Sequence, residues 1–137
     1  MNQQRSQSDL LEERLIEFAA RIIQFSAELP KTPSGRHIAL QILRSGTAAA
    51  SNYAEARGAE SRADFIHKLG IVQKELNETS IWLRIIQKSF TVYRDFVHKL
   101  IAENKELCKI LVASIQTAKR NESAKPASVK GKVAGEN

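Results

Sequence analysis

Leu11, Leu15, Phe18, Ile22, Phe25 and Leu29 recur at intervals of 4, 3, 4, 3 and 4. More than any other feature, this spacing limits what the chain can fold into. On a helix it lines all six side chains along one seam, whereas on a strand it would scatter them over both faces. Phe65, Leu69, Val72, Leu76, Thr79, Leu83 and Ile86 repeat the pattern more strongly, and Ile66, Trp82 and Ile85 widen that face beyond a thin coiled-coil seam. A further stripe runs through Tyr93, Val97, Leu100, Asn104, Leu107 and Leu111, joined by Ile101, Cys108 and Ile115. Between the first two stripes, Ile38 and Ile42 lead into the small-residue run "SGTAAAS". Gly46 in that run costs about 1 kcal/mol of helix propensity against Ala, a cost that a close helix–helix contact would offset.

The boundaries follow from the breakers. Pro30 and Pro33 stop the first helix. Ser34 is the expected N-cap of a second helix running to about Arg57. Ser61, with Asp64 three residues later, resembles a capping box for the third. "KSFT" separates it from a fourth helix expected from about Val92 to Lys119. Helices of this size, each roughly 35 Å long at 1.5 Å per residue, joined by short links, predict an all-α, antiparallel up-down-up-down four-helix bundle over residues 1–120. Residues 121–137, "NESAKPASVKGKVAGEN", hold no large apolar residue beyond two valines and read as a disordered basic tail. No apolar run approaches the roughly 18–20 residues that cross a bilayer, and "MNQQRSQSDLLEERL" lacks the apolar core of a signal peptide. A cytoplasmic protein with no membrane partner is expected. The lone Cys108 sits in a helical apolar pattern and reads as a buried, inert thiol.

Carboxylates and histidines are close enough in sequence to raise the question of chemistry. Two Asp-x-x-His pairs occur, Asp64 with His67 and Asp95 with His98, and Glu75-x-x-Glu78 lies on the third helix. A di-metal bundle would need further glutamates on the apolar stripes of the first two helices, and none stands there. There is no Gly-x-Ser-x-Gly, His-Glu-x-x-His or phosphate-cradling glycine loop. No enzyme, cofactor or metal is expected. Another polar set, Asn52 and Glu55 on the second helix with Glu75, Glu78 and Thr79 on the third and Arg44, Arg57 and Arg84 as available partners, admits three readings. It can be a structural or inter-subunit network, a ligand contact, or plain solvated surface.

The formal net charge is +6. Residues 119–137 contribute +3 of it, from Lys119, Arg120, Lys125, Lys130 and Lys132 against Glu122 and Glu136. Such a balance permits polyanion binding without demonstrating it.

The stretch "LRSGTAAASNYAEARGAESRADFIHKLGIVQKELNETSIWLRII", residues 43–86, resembles the four-helix-bundle family encoded in intervening sequences of bacterial 23S rRNA genes. The matching positions are Arg44, Asn52, Glu55, Ser61, Phe65, Glu75, Leu76, Glu78 and Thr79. The chain departs from the commoner family form at Tyr53 and Ala56, with Gly58 two positions after the place of a glycine. The resemblance implies a closed antiparallel bundle that associates into a ring, typically a homo-pentamer, and implies no catalytic residue. Similar basic rings accompany the reverse transcriptases of diversity-generating retroelements, where they bind nucleic acid and the transcriptase. On that analogy Arg36, Arg57, Arg62, Lys68 and the tail lysines Lys125, Lys130 and Lys132 are candidate contacts to RNA or DNA phosphates. A protein–protein assembly or adaptor module, with its charge serving solubility, is the rival expectation.

Overall fold

A computed structural model describes residues 5–124 as four α-helices with no strand among them. They are α1 (Gln7–Ser26), α2 (Pro33–Arg57), α3 (Arg62–Ser89) and α4 (Arg94–Ala124), with a 3-10 turn at Thr91–Tyr93. Contacts between helices give their directions. Arg44, Ser45 and Glu55 on α2 meet Glu78, Thr79 and Lys68 on α3, so residue numbers fall on one helix as they rise on the other. Arg57 against Asp9 and Glu12, with Gly46 against Ile22, does the same for α1 and α2, and Arg14 against Glu103, with Phe25 against Phe96, for α1 and α4. The result is an up-down-up-down bundle. The α1–α4 seam is the least closely packed of its four sides.

The stripes read from the sequence form the core. Leu15, Ile22, Ile42, Leu69, Leu76, Leu83, Leu100, Leu107 and Leu111 are fully buried, each stabilising the fold by about 1.5–3 kcal/mol relative to an exposed side chain. Gly46 is buried against Ile22, and a Cβ added there would lie 2.8 Å from Ile22 Cγ2. The close helix contact expected for the small-residue run is thus the α1–α2 contact.

Helix ends differ from expectation in three places. Thr32, not Ser34, caps α2: its hydroxyl accepts from the Gly35 N–H at 3.1 Å, and Pro33 takes the first helical position, where a missing N–H costs nothing. At Ser61 only half of the capping box forms, the Asp64 N–H donating to Ser61 Oγ at 3.0 Å; the reciprocal box instead stands at Ser6 and Asp9 on α1. Val92 and Tyr93, expected to open α4, belong instead to the 3-10 turn, and α4 continues five residues past the expected Lys119, so that Asn121–Ala124 of the expected tail are helical. No proline interrupts that run, so the ladder propagates. The rest of the expected tail, including Lys125, Lys130 and Lys132, lies outside the described residues.

Both odd-to-even links come together at one end. Tyr93 Oη donates to the Glu28 carbonyl at 2.7 Å, tying the turn before α4 to the α1–α2 link. Phe25 sits beneath, its ring centroid 5.6 Å from that of Tyr93 and 5.3 Å from that of Phe96. The single α2–α3 link, with the start of α1 and the end of α4, makes the other end.

Candidate functional site

The polar set named from the sequence divides in two. Arg44, Glu75, Glu78 and Thr79 meet across the α2–α3 interface. The Arg44 guanidinium hydrogen-bonds Glu78, and its Nη1 lies 3.6 Å from Glu75 Oε1. Trp82 Nε1 donates to Glu78 Oε2 at 3.2 Å, and His37 stands edge-on to the Trp82 ring, centroids 5.8 Å apart. Beneath this layer the Thr79 hydroxyl is 2.8 Å from both the Glu75 carbonyl and Ser45 Oγ, and both hydroxyl residues are fully buried. Buried hydroxyls are costly unless bonded, so this pair fixes the α2–α3 register. Arg44 is half exposed, which screens its pairs and limits each to about 1 kcal/mol or less. Glu75 Oε1 is buried and accepts no hydrogen bond among the described residues.

Asn52 and Glu55 do not join this network. Asn52 Nδ2 donates to the Ala48 carbonyl of its own helix at 2.8 Å. Glu55 pairs with Lys68 at 3.6 Å. Sequence spacing already separates them, since Asn52 and Glu55 lie about two to three helical turns from Arg44 on α2.

The candidate nucleic-acid residues are also separated. Arg57 lies at the α2–α3 end, held by Asp9 at 2.8 Å and Glu12 at 3.1 Å. The Arg57 bond, followed by that of Ser6, holds the Asp9 carboxyl below its ordinary value, and the same contact with Asp9 raises Arg57. Lys68 is occupied by Glu55. Arg62, at the same end, is exposed and has no ion pair among the described residues. Arg36, at the opposite end, is exposed and has no ion pair among the described residues.

Sequence reasoning missed three further features. Arg14 forms a two-pronged bond to Glu103 across the α1–α4 seam, at 2.7 and 2.9 Å, and this bond raises the Arg14 pKa. Beside it a cleft of about 320 Å³ opens between Leu11, Tyr53, Ile110 and Ser114. In the core, Asn104 is 1% exposed, and its Nδ2 has no hydrogen-bond partner among the described residues. Its neighbour Cys108, expected to be buried, is only half-buried, and desolvation pushes its thiol up. The position of Asn104 on the apolar stripe was the available signal.

The Asp-x-x-His pairs lie at opposite ends, one opening α3 and the other α4. Among the described residues no group of three or more His, Cys, Asp and Glu side chains is arranged to hold a metal ion. No described helix is long and apolar enough to cross a membrane.

Comparison with known proteins agrees with the architecture. A crystal structure of a protein of unknown function from the S23 ribosomal protein family of Bacteroides thetaiotaomicron superposes with a TM-score of 0.75. The two are 34% identical, over 81% of this chain and 99% of that one. No curated protein matches the chain. Residues 11–113 match the family described as 23S rRNA-intervening sequence protein, and the chain belongs to that family.

Proposed function

We propose that this chain is a non-enzymatic, cytoplasmic bundle that assembles into a homo-oligomeric ring, a pentamer by family resemblance, and binds RNA or DNA weakly through the phosphate backbone. One observation carries the reading. The described residues include eighteen Lys and Arg against fourteen Asp and Glu. Eight of those acids are engaged by only six cations, Arg5, Arg14, Arg44, Arg57, Lys68 and Lys109. Twelve cations are therefore left without an acidic partner among the described residues. Unpaired surface cations raise a positive potential that attracts phosphates without reading sequence. Ile16, Ile23 and Ile81, each about half exposed, supply apolar surface for self-association.

A second reading, a protein-docking module, is favoured by the apolar groove where α1 ends and α2 begins. Leu29, Pro30, Ala39 and Leu43 line it, with exposed Ile23 and Leu40 beside them. Fluorescence anisotropy of labelled RNA and DNA across a salt series separates the two, using full-length protein and protein ending at Ala124. Binding that weakens steeply with salt and survives truncation supports the nucleic-acid reading. No binding at low salt overturns it and leaves the docking module.

A further inference from the structure

We propose that the end of the bundle carrying the α1–α2 and α3–α4 links is the surface that contacts a nucleic-acid phosphodiester backbone. This rests on the nucleic-acid reading above and adds a location to it. Charge is divided unequally between the two ends. Taking six residues of each helix together with the links, the two-link end holds seven cations against two acids, Glu28 and Asp95, a net of +5. The same count at the α2–α3 end, from Arg5 on, gives five cations against six acids, a net of −1.

Pairing sharpens the difference. Arg57 and Lys68 are bound to carboxylates near the α2–α3 end. At the two-link end Lys31, Arg36, Arg84, Lys88, Arg94 and Lys99 are all exposed, and none has an ion pair among the described residues. These six come from four segments at the bundle's end: one from the α1–α2 link, one from the start of α2, two from the close of α3 and two from the opening of α4. The surface is also held in place. Tyr93 bonded to the Glu28 carbonyl, over the Phe25–Phe96 contact, joins the segments that carry these cations. A pre-ordered surface gives up less entropy when a partner binds.

The partner implied is a polyphosphate chain rather than a single anion, because the cations are spread over an end face and do not converge on one point. The α1–α2 groove also reaches this end and includes Arg36, so an acidic protein segment is the competing occupant.

The test uses full-length protein and a labelled single-stranded RNA of mixed sequence. Arg36→Ala/Lys88→Ala/Arg94→Ala is compared with a control at the opposite end, Arg62→Ala/Lys119→Ala/Arg120→Ala. Removing three phosphate contacts should flatten the log–log salt dependence by about 2 and weaken binding about 100-fold at 0.1 M salt. The control should lose less than about threefold, and Arg36→Lys/Arg94→Lys should bind like wild type, since charge rather than guanidinium geometry is read. Unchanged circular dichroism and urea midpoint would exclude misfolding as the cause. Equal losses at both ends, or a larger loss in the control, would overturn the location while leaving nucleic-acid binding intact. Failure of the wild-type protein to bind would overturn the underlying reading as well. Tighter binding to polyglutamate than to RNA would overturn the proposal in favour of an acidic protein partner.

Discussion

Gly46→Ala is the sharpest test of the packing account, because its sign should depend on one other residue. In the middle of α2, alanine gains about 1 kcal/mol of helix propensity over glycine. Here the new Cβ would meet Ile22 Cγ2 at 2.8 Å, Cγ1 at 3.0 Å and Cβ at 3.2 Å. Ile22 is fully buried and β-branched, and in a helix its χ1 is held to one strongly preferred rotamer, so it cannot turn aside. Overpacking of this kind costs about 1–3 kcal/mol, which leaves a net destabilisation of about 1 kcal/mol. Ile22→Ala removes the obstructing methyl groups and should itself cost about 2–5 kcal/mol. In that background Gly46→Ala keeps its propensity gain and partly fills the space, so it should stabilise by about 1 kcal/mol. The coupling in the double-mutant cycle is then about 2 kcal/mol, well above the few tenths expected for independent sites. Urea unfolding of the four proteins measures it through their midpoints at constant slope. A stabilising Gly46→Ala in wild type, or the same change in both backgrounds, would refute the close α1–α2 contact.

Arg44→Ala leaves the buried Glu75 oxygen without its cation and should cost about 1–2 kcal/mol by urea unfolding; adding Glu75→Gln should recover part of that, and no recovery would remove Glu75 from the explanation. Asn104→Leu replaces a buried amide nitrogen without a partner by an apolar group on an apolar stripe, and should raise stability by about 1 kcal/mol; a lower urea midpoint would mean that the amide is satisfied. Asp9 has a folded-state pKa depressed below 3.8, first by its bond to Arg57, so its contribution is present above that value and lost as pH falls through the lower folded value. The stability gap between wild type and Arg57→Ala should therefore persist from neutral pH to about 4 and close in more acidic solution. A gap independent of pH would detach Arg57 from Asp9.

The bundle was legible because helical burial writes itself into the chain at a period of 3.6 residues, and Leu69–Ile86 on α3 carries that period almost without interruption. Helix ends were less legible, since Thr32 and Ser34 are both able caps and only the path of the chain past Pro30 selects between them; Gly35 has no room for a Cβ, which would lie 2.0 Å from the Pro30 carbonyl oxygen. The sequence grouped Glu75, Glu78 and Thr79 but offered Arg44, Arg57 and Arg84 alike as their partners; only the fold selects Arg44, 34 residues from Glu78. Arg57 instead meets carboxylates 45 and 48 residues away, which no sequence pattern signals. Charge segregation was hidden for the same reason: Lys31 and Arg94 are distant in sequence, and only the antiparallel register brings them to one end.

Lysine acetylation footprinting of the intact protein, with and without single-stranded RNA, tests the central claim most directly, because every exposed lysine is its own reporter. Bound RNA should protect Lys31, Lys88 and Lys99, while Lys74, Lys105 and Lys119 stay as reactive as in the free protein. Protection centred on Lys119, or spread evenly over all six, would contradict the account.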